Sequence, residues 1–189
     1  MPRALNLLLL CVLLPLTSMA AGKKDRYGVD AWPDEYDGYF KKYTKRYFGP
    51  YFDWRWFKSQ AIAESGLDPD ARSQAGAIGL MQIMPATYEE ITRDNPHFVT
   101  LDDPRWNVAA GIYYNRVLYR KWQTPPPGTE RLYFAFGSYN AGYGRLLKAT
   151  QIAGKSAERW REVAPYVPLQ TRRYVKRIRT LMNPTPKQD

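Results

Sequence analysis

Ile62-Ala63-Glu64-Ser65-Gly66-Leu67, with Ser73 soon after and Gly79-Leu80-Met81-Gln82-Ile83-Met84-Pro85 beyond it, sets one carboxylic acid among small apolar and neutral polar residues. Such neighbours withhold the hydration that a carboxylate needs, and so favour the protonated form of Glu64 near neutral pH. An acid kept protonated can donate to an ether-like oxygen, the step that opens a glycosidic bond. Upstream, Trp54 to Ser65 reads as a helix capped by Asp53, with Phe57 and Ala61 on the face that carries Glu64. The acid therefore projects from the packed side close to the helix end. Read alone, Glu64 is better taken as a surface residue at a fraying terminus; the blocks that follow it in the chain reverse that reading.

Further outward the signals are mostly helical. Tyr36, Tyr39, Phe40, Tyr43 and Tyr47 recur at spacings of three and four over residues 34 to 48, with Lys41, Lys42, Lys45 and Arg46 mostly off that face. These tyrosines are expected to pack in the core, and Gly49-Pro50 ends the helix. Asp68 to Gly79 should form a long irregular connection or hold a small sheet. A helix opens at Pro85, and Asp102-Asp103-Pro104 caps another over about Arg105 to Lys121, whose inward stripe is Val108, Gly111, Ile112, Asn115 and Leu118. Thr124 to Gly128 is a loop. Helices follow over 130 to 140 and 143 to 150, and Pro168 introduces a basic helix to about Leu181. Strand signals are few, so the fold class is mainly α: one helical domain with a groove and a small irregular or β segment after the helix that carries the acid.

Four blocks in order, Glu64-Ser65, Gly79 to Gln82, Ser138-Tyr139-Asn140-Ala141-Gly142 and Tyr174-Val175, resemble the catalytic domain of the soluble-lytic-transglycosylase-like group of lytic transglycosylases. The resemblance covers roughly residues 36 to 182. Tyr36-Asp37, Lys42-Tyr43 and Asp53-Trp54-Arg55 look most like the membrane-bound F-type subgroup, without the solute-binding-like domain that precedes the catalytic domain there. It implies a lysozyme-like α+β fold and peptidoglycan as substrate. Glu64 would cleave between N-acetylmuramic acid and N-acetylglucosamine without water, as acid and then as base, leaving 1,6-anhydromuramyl ends. It further implies that Ser73, Gln82, Met84, Tyr139, Asn140 and Gln170 contact the sugars, and that Tyr174 orients the acid. Gln170 stands where the family often has Glu, and Ser138 where Ala is commoner.

No convincing second carboxylate accompanies Glu64. Asp68 and Asp70 read as turn residues, and Glu89 and Glu90 as solvated ones. A lysozyme-type hydrolase using a loop Asp and a non-catalytic wall-binding protein stay open as alternatives; an intact, desolvated acid argues against the second.

The 189 residues carry a formal charge of +10 and a single Cys and a single His. Residues 1–20 read as a secretory signal, with Arg3 at its start and Ser18-Met19-Ala20 at its end, and export to the periplasm is expected. Losing Arg3 with it leaves 27 bases against 18 acids, or +9. Residues 21–33 would be a flexible leader, 34–182 the transglycosylase domain and 183–189 a tail. Cys11 lies within the signal, and His97 alone makes no metal site, so neither cofactor nor metal is expected. The positive charge suits polyanions: peptidoglycan strands as substrate, with cell-wall or envelope-machine proteins as further partners. Nucleic acid is not expected as a partner, nor is membrane association once the signal is gone.

Overall fold

The computed structural model describes residues 28–125, 127–154 and 158–184. The proposed signal, most of the leader and the end of the tail lie outside these residues. Among the described residues eight α-helices run in the order α1 (Asp37–Phe48), α2 (Arg55–Ser65), α3 (Pro85–Asp94), α4 (Pro104–Lys121), α5 (Thr129–Ala141), α6 (Tyr143–Ala153), α7 (Trp160–Val163) and α8 (Leu169–Met182), with short 3-10 helices at Val29–Ala31 and Ala164–Tyr166. Within the stretch expected as one domain the chain gathers into two compact units, described residues 28–113 with 176–184 and residues 114–175. The long helices α4 and α8 each contribute to both.

In the first unit α1 buries Phe40, Tyr43 and Thr44 and leaves its four central bases in water. Tyr39, expected in the core, lies at the edge of the apolar arc and is 36% exposed. Phe48, Phe52 and Phe57 form a ring cluster, with centroids 4.6 to 5.8 Å apart, that seals the α1–α2 turn onto α2. Asp53 accepts from the Arg55 N–H at 3.0 Å and also grips the Arg55 guanidinium, so it holds the first amide of α2 from the residue before Trp54, which takes the N-cap position itself. Asp103 does the same for α4, accepting from the Arg105 N–H at 2.8 Å. Pro85 opens α3 at the position where a missing amide hydrogen costs nothing.

Between α2 and α3, where a long irregular connection or a small sheet was expected, the loop is irregular with two isolated antiparallel bridges, Arg72 with Ile78 and Ile78 with Ile83. Val29–Ala31, in the stretch read as flexible leader, instead forms a 3-10 helix with Val29 buried. Glu90, read as solvated, is half-buried and has one carboxylate oxygen out of contact with water.

In the second unit α5 opens with Thr129, Glu130 and Arg131, then turns apolar on every side over residues 132–136 and is buried over residues 132–139. Trp122 and Trp160 pack on Phe134 at 5.1 and 6.1 Å, and a side chain at Gly137 would meet the Trp160 ring at 2.8 Å. The Trp122 indole N–H donates to Ser138 Oγ at 3.0 Å, which explains why a hydroxyl occupies a position where a methyl would otherwise fill the core. Helix α7 was not legible because four residues are too few to show a period.

One buried ion pair fixes α1 on α2. Lys58 Nζ lies 2.7 Å from Asp37 Oδ1, with the two side chains only 3% and 15% exposed. Replacing Lys58 by Met alone strands the carboxylate and should cost about 3–5 kcal/mol in urea unfolding. Lys58→Met with Asp37→Leu should recover most of that loss; an unchanged midpoint in the single variant would contradict the pairing.

Candidate active site

Glu64 is the last residue but one of α2, half-buried, and the helix stops immediately after it. Gly66 takes a left-handed conformation at φ 68° and donates its N–H to Ile62 O, and Leu67 continues in the same region at φ 61°. A branched residue there carries backbone strain, held in place because Leu67 is buried. The chain thus turns sharply away from the acid.

Ser65 then latches the helix end to the loop: its Oγ lies 3.2 Å from Ala61 O and 3.0 Å from Leu80 O. Leu80 belongs to the Gly-Leu-Met-Gln block, and each residue of that block has a separate physical task. Gly79, at φ 74°, faces Asn107 so closely that a Cβ would lie 2.5 Å from its Nδ2. Leu80 and Met81 are fully buried, and Met81 fills the space that a side chain at Gly111 would take. Gln82 turns the chain at φ 46°, and its amide nitrogen donates to Gly79 O and Ala71 O at 3.0 and 3.2 Å.

Asn107, on α4, anchors this turn from behind. Its Oδ1 accepts from the Met81 N–H at 2.8 Å, while its Nδ2 donates to Ile78 O at 2.9 Å and Leu101 O at 3.1 Å. It is 1% exposed. The sequence reading missed it, although the signal was present: an Asn next to the apolar stripe of α4, just inside the Asp-Pro cap.

Of the other expected site residues in this unit, Ser73 Oγ accepts from the Ala77 N–H at 2.9 Å and so closes a tight turn in the loop. Met84 is half-buried at the start of α3. Asp68 accepts from the Asp70 N–H at 2.9 Å, the turn role expected of it. His97 packs edge-on against Phe98 and Trp106. Among the described residues no group of His, Cys, Asp and Glu could hold a metal ion.

The electrostatics departs from expectation. Partial burial lowers the pKa of the Arg177 guanidinium on α8, and attraction by Glu64 opposes that shift. The acid therefore has a cation within electrostatic reach, where the sequence suggested only neutral groups.

The remaining candidates belong to the second unit. Tyr139 is buried and meets Tyr114 edge-on at 5.3 Å. Asn140 Oδ1 accepts from Thr171 Oγ1 at 2.9 Å, which ties the end of α5 to the start of α8 and sets Gln170 one residue from that bond. Gln170 is half-buried and Tyr174 is 8% exposed.

The model of the transglycosylase SLT domain matches residues 39–161. The chain belongs to that family. It is 33% identical over 121 residues to the membrane-bound lytic murein transglycosylase F of Maricaulis maris, covering 62% of this chain and 25% of the relative. To the Shewanella woodyi protein of the same name it is 32% identical over 149 residues, 76% of this chain and 30% of the relative. Among solved structures, the 70-kDa soluble lytic transglycosylase of Escherichia coli superposes with TM-score 0.64 at 28% identity, over 79% of this chain and 24% of that one. An inactive Glu-to-Gln variant of the lytic transglycosylase Slt from Pseudomonas aeruginosa gives 0.63 at 25% identity, over 78% and 23%. This SLT-domain chain therefore has the mainly helical, lysozyme-like fold, and it spans between a quarter and a third of the length of the two transglycosylase F relatives.

Asn107→Ala should lower stability by about 2–4 kcal/mol in urea unfolding, since three backbone groups lose a buried partner. Asn107→Asp should cost more than Ala, because two carbonyls would then face an acceptor. The reverse order would show that the amide does not hold the turn.

Proposed function

We propose that this chain is a peptidoglycan lytic transglycosylase that uses Glu64 as its single acid and base. The observation that carries the reading is the latch from Ser65 to Leu80: it brings the acid and the Gly-Leu-Met-Gln turn, two of the family's motifs, into one structure. Glu64 protonates the oxygen linking N-acetylmuramic acid to N-acetylglucosamine, and the C1–O bond breaks. Charge developing at C1 is stabilised by the muramyl N-acetyl carbonyl. The resulting carboxylate then takes the proton of the same sugar's C6 hydroxyl as O6 bonds to C1. Glu64 ends as it began, no water is consumed, and the product carries a 1,6-anhydro ring.

Arg177 fits this cycle, since a cation near Glu64 favours the carboxylate that forms between the two proton transfers. Ser73, Gln82 and Met84 would line the sugars from the loop, with neutral polar groups matched to hydroxyls and acetamides. Tyr139, Asn140 and Gln170 would contribute sugar contacts, and Tyr174 the hydrogen bond that orients the acid. Residues 34–182 would constitute the catalytic domain of an exported, periplasmic protein.

Mass spectrometry of fragments released from purified sacculi tests the reaction. Anhydromuramyl ends are expected from the wild-type chain and none from Glu64→Gln, with glycan binding retained in the variant. Reducing ends would instead identify a hydrolase. Tyr174→Phe should slow turnover more than it weakens binding. Removing the cation with Arg177→Leu makes proton loss from Glu64 harder, so the alkaline limb of kcat/KM should move to higher pH, while Arg177→Lys should leave it in place. A limb that does not move in Arg177→Leu would remove Arg177 from the proton cycle.

A further inference from the structure

Helix α1 carries a surface that neither the fold nor the proposed chemistry uses. Lys41, Lys42, Lys45 and Arg46 are all exposed and, at 100° per residue, lie within an arc of about 140° opposite the buried Phe40, Tyr43 and Thr44. Gly38 and Gly49 are the other residues in that arc, so it holds no acid. The acids nearest to it in sequence are accounted for: Asp37 is paired with Lys58 and Asp53 with Arg55, while Asp34 and Glu35 precede the helix.

Two aromatic rings border this stripe. Tyr51, in the turn that follows α1, is 99% exposed, a protruding ring in a turn held by the Phe52 N–H to Gly49 O bond. Trp54 is half-exposed, with Lys41 Nζ 4.8 Å from its centroid. Glu64 lies at the far end of α2, about 14 Å of helix rise from Arg55, so this is not a rim of the candidate site.

We infer that the exposed face of α1 and the Tyr51 turn form a contact surface for an anionic phospholipid bilayer. Exposed lysines and an arginine on one helix face, Lys41 lying over the Trp54 ring, followed by a turn that exposes Tyr51, match the chemistry of the headgroup region, where cations meet lipid phosphates and aromatic rings sit at the interface. A protruding ring favours a flat, penetrable surface over a polymer strand, which would need a concavity to hold it. This surface revises the expectation that the chain has no membrane association of its own. Each base should raise partitioning about fivefold on a negatively charged surface.

The test is co-sedimentation of the full chain with phosphatidylcholine vesicles, with and without about one-third phosphatidylglycerol, at lipid concentrations that bind half of the wild type. Residues 1–20 are common to every arm, so the readout is the ratio of anionic to neutral partitioning. The wild type should favour anionic vesicles, with the preference falling steeply between about 50 and 500 mM salt. Lys42→Glu/Lys45→Glu/Arg46→Glu should cut the ratio at least about 100-fold, with turnover on soluble glycan fragments unchanged. Tyr51→Ser, at a position too exposed to disturb folding, should weaken anionic binding about fivefold at high salt. Equal ratios for the wild type and the triple variant would overturn the proposal, as would variants that lose binding to sacculi but not to vesicles. Absent glycan cleavage by the wild type would defeat the proposed reaction and leave the vesicle result standing.

Discussion

Three hydrogen bonds from one buried amide hold the loop around which the candidate site is arranged. Asn107 gives its oxygen to Met81 and its nitrogen to Ile78 and Leu101, so a single side chain on α4 satisfies backbone groups on both sides of the Gly79 turn. A buried peptide group without such a partner would be costly, and no hydrocarbon could take the place of the amide. Gly79 follows as a necessity, because only a residue without Cβ lets Asn107 approach so closely. Gly111 is required in the same way by Met81. What reads in the sequence as a recognition motif is, for three of its four residues, the packing solution to anchoring one turn; Gln82 alone directs its side chain into the loop.

The acid depends on that turn at one remove. Glu64 lies where α2 ends, and the carbonyl end of a helix carries partial negative charge that a carboxylate does not welcome. Arg177 supplies the opposite field. The two influences pull the carboxyl group towards different charge states, which suits the acid-then-base role proposed for it. Ser65 fixes the helix end through Leu80, so disturbance at Asn107 would reach Glu64 through hydrogen bonds and close packing.

Most of this architecture was legible because helix signals are local. The apolar spacing of α1, the Asp caps of α2 and α4 and the proline that opens α3 each act within a few residues, and the structure follows them to within three positions. The candidate acid was legible through the order of four blocks, not through its own neighbours. Asn107, Ser138 and Arg177 were not, since each acts across the chain: on a turn 26 residues away, on the indole of Trp122 and on an acid in another helix. A polar residue beside an apolar stripe announces that it has a partner but does not name it. The same limit applies to Tyr39, whose place at the edge of an apolar arc left its exposure to be decided by what packs nearby.

The ion pairs of the first unit do two things at once. Asp37 with Lys58 and Asp53 with Arg55 settle α1 and its turn against α2, and they also neutralise the acids beside the α1 stripe. Had Asp37 and Asp53 stayed open to water, their field would have cancelled half of the stripe's charge within a Debye length. By spending those carboxylates on bases of α2, the fold leaves Lys41, Lys42, Lys45 and Arg46 unopposed on their own face. Positive charge spread over the whole chain would mainly confer solubility. Gathered on one helix face, beside a fully exposed Tyr and opposite the end of α2 that holds the acid, the same charge can orient the molecule on a surface while leaving Glu64 clear of it.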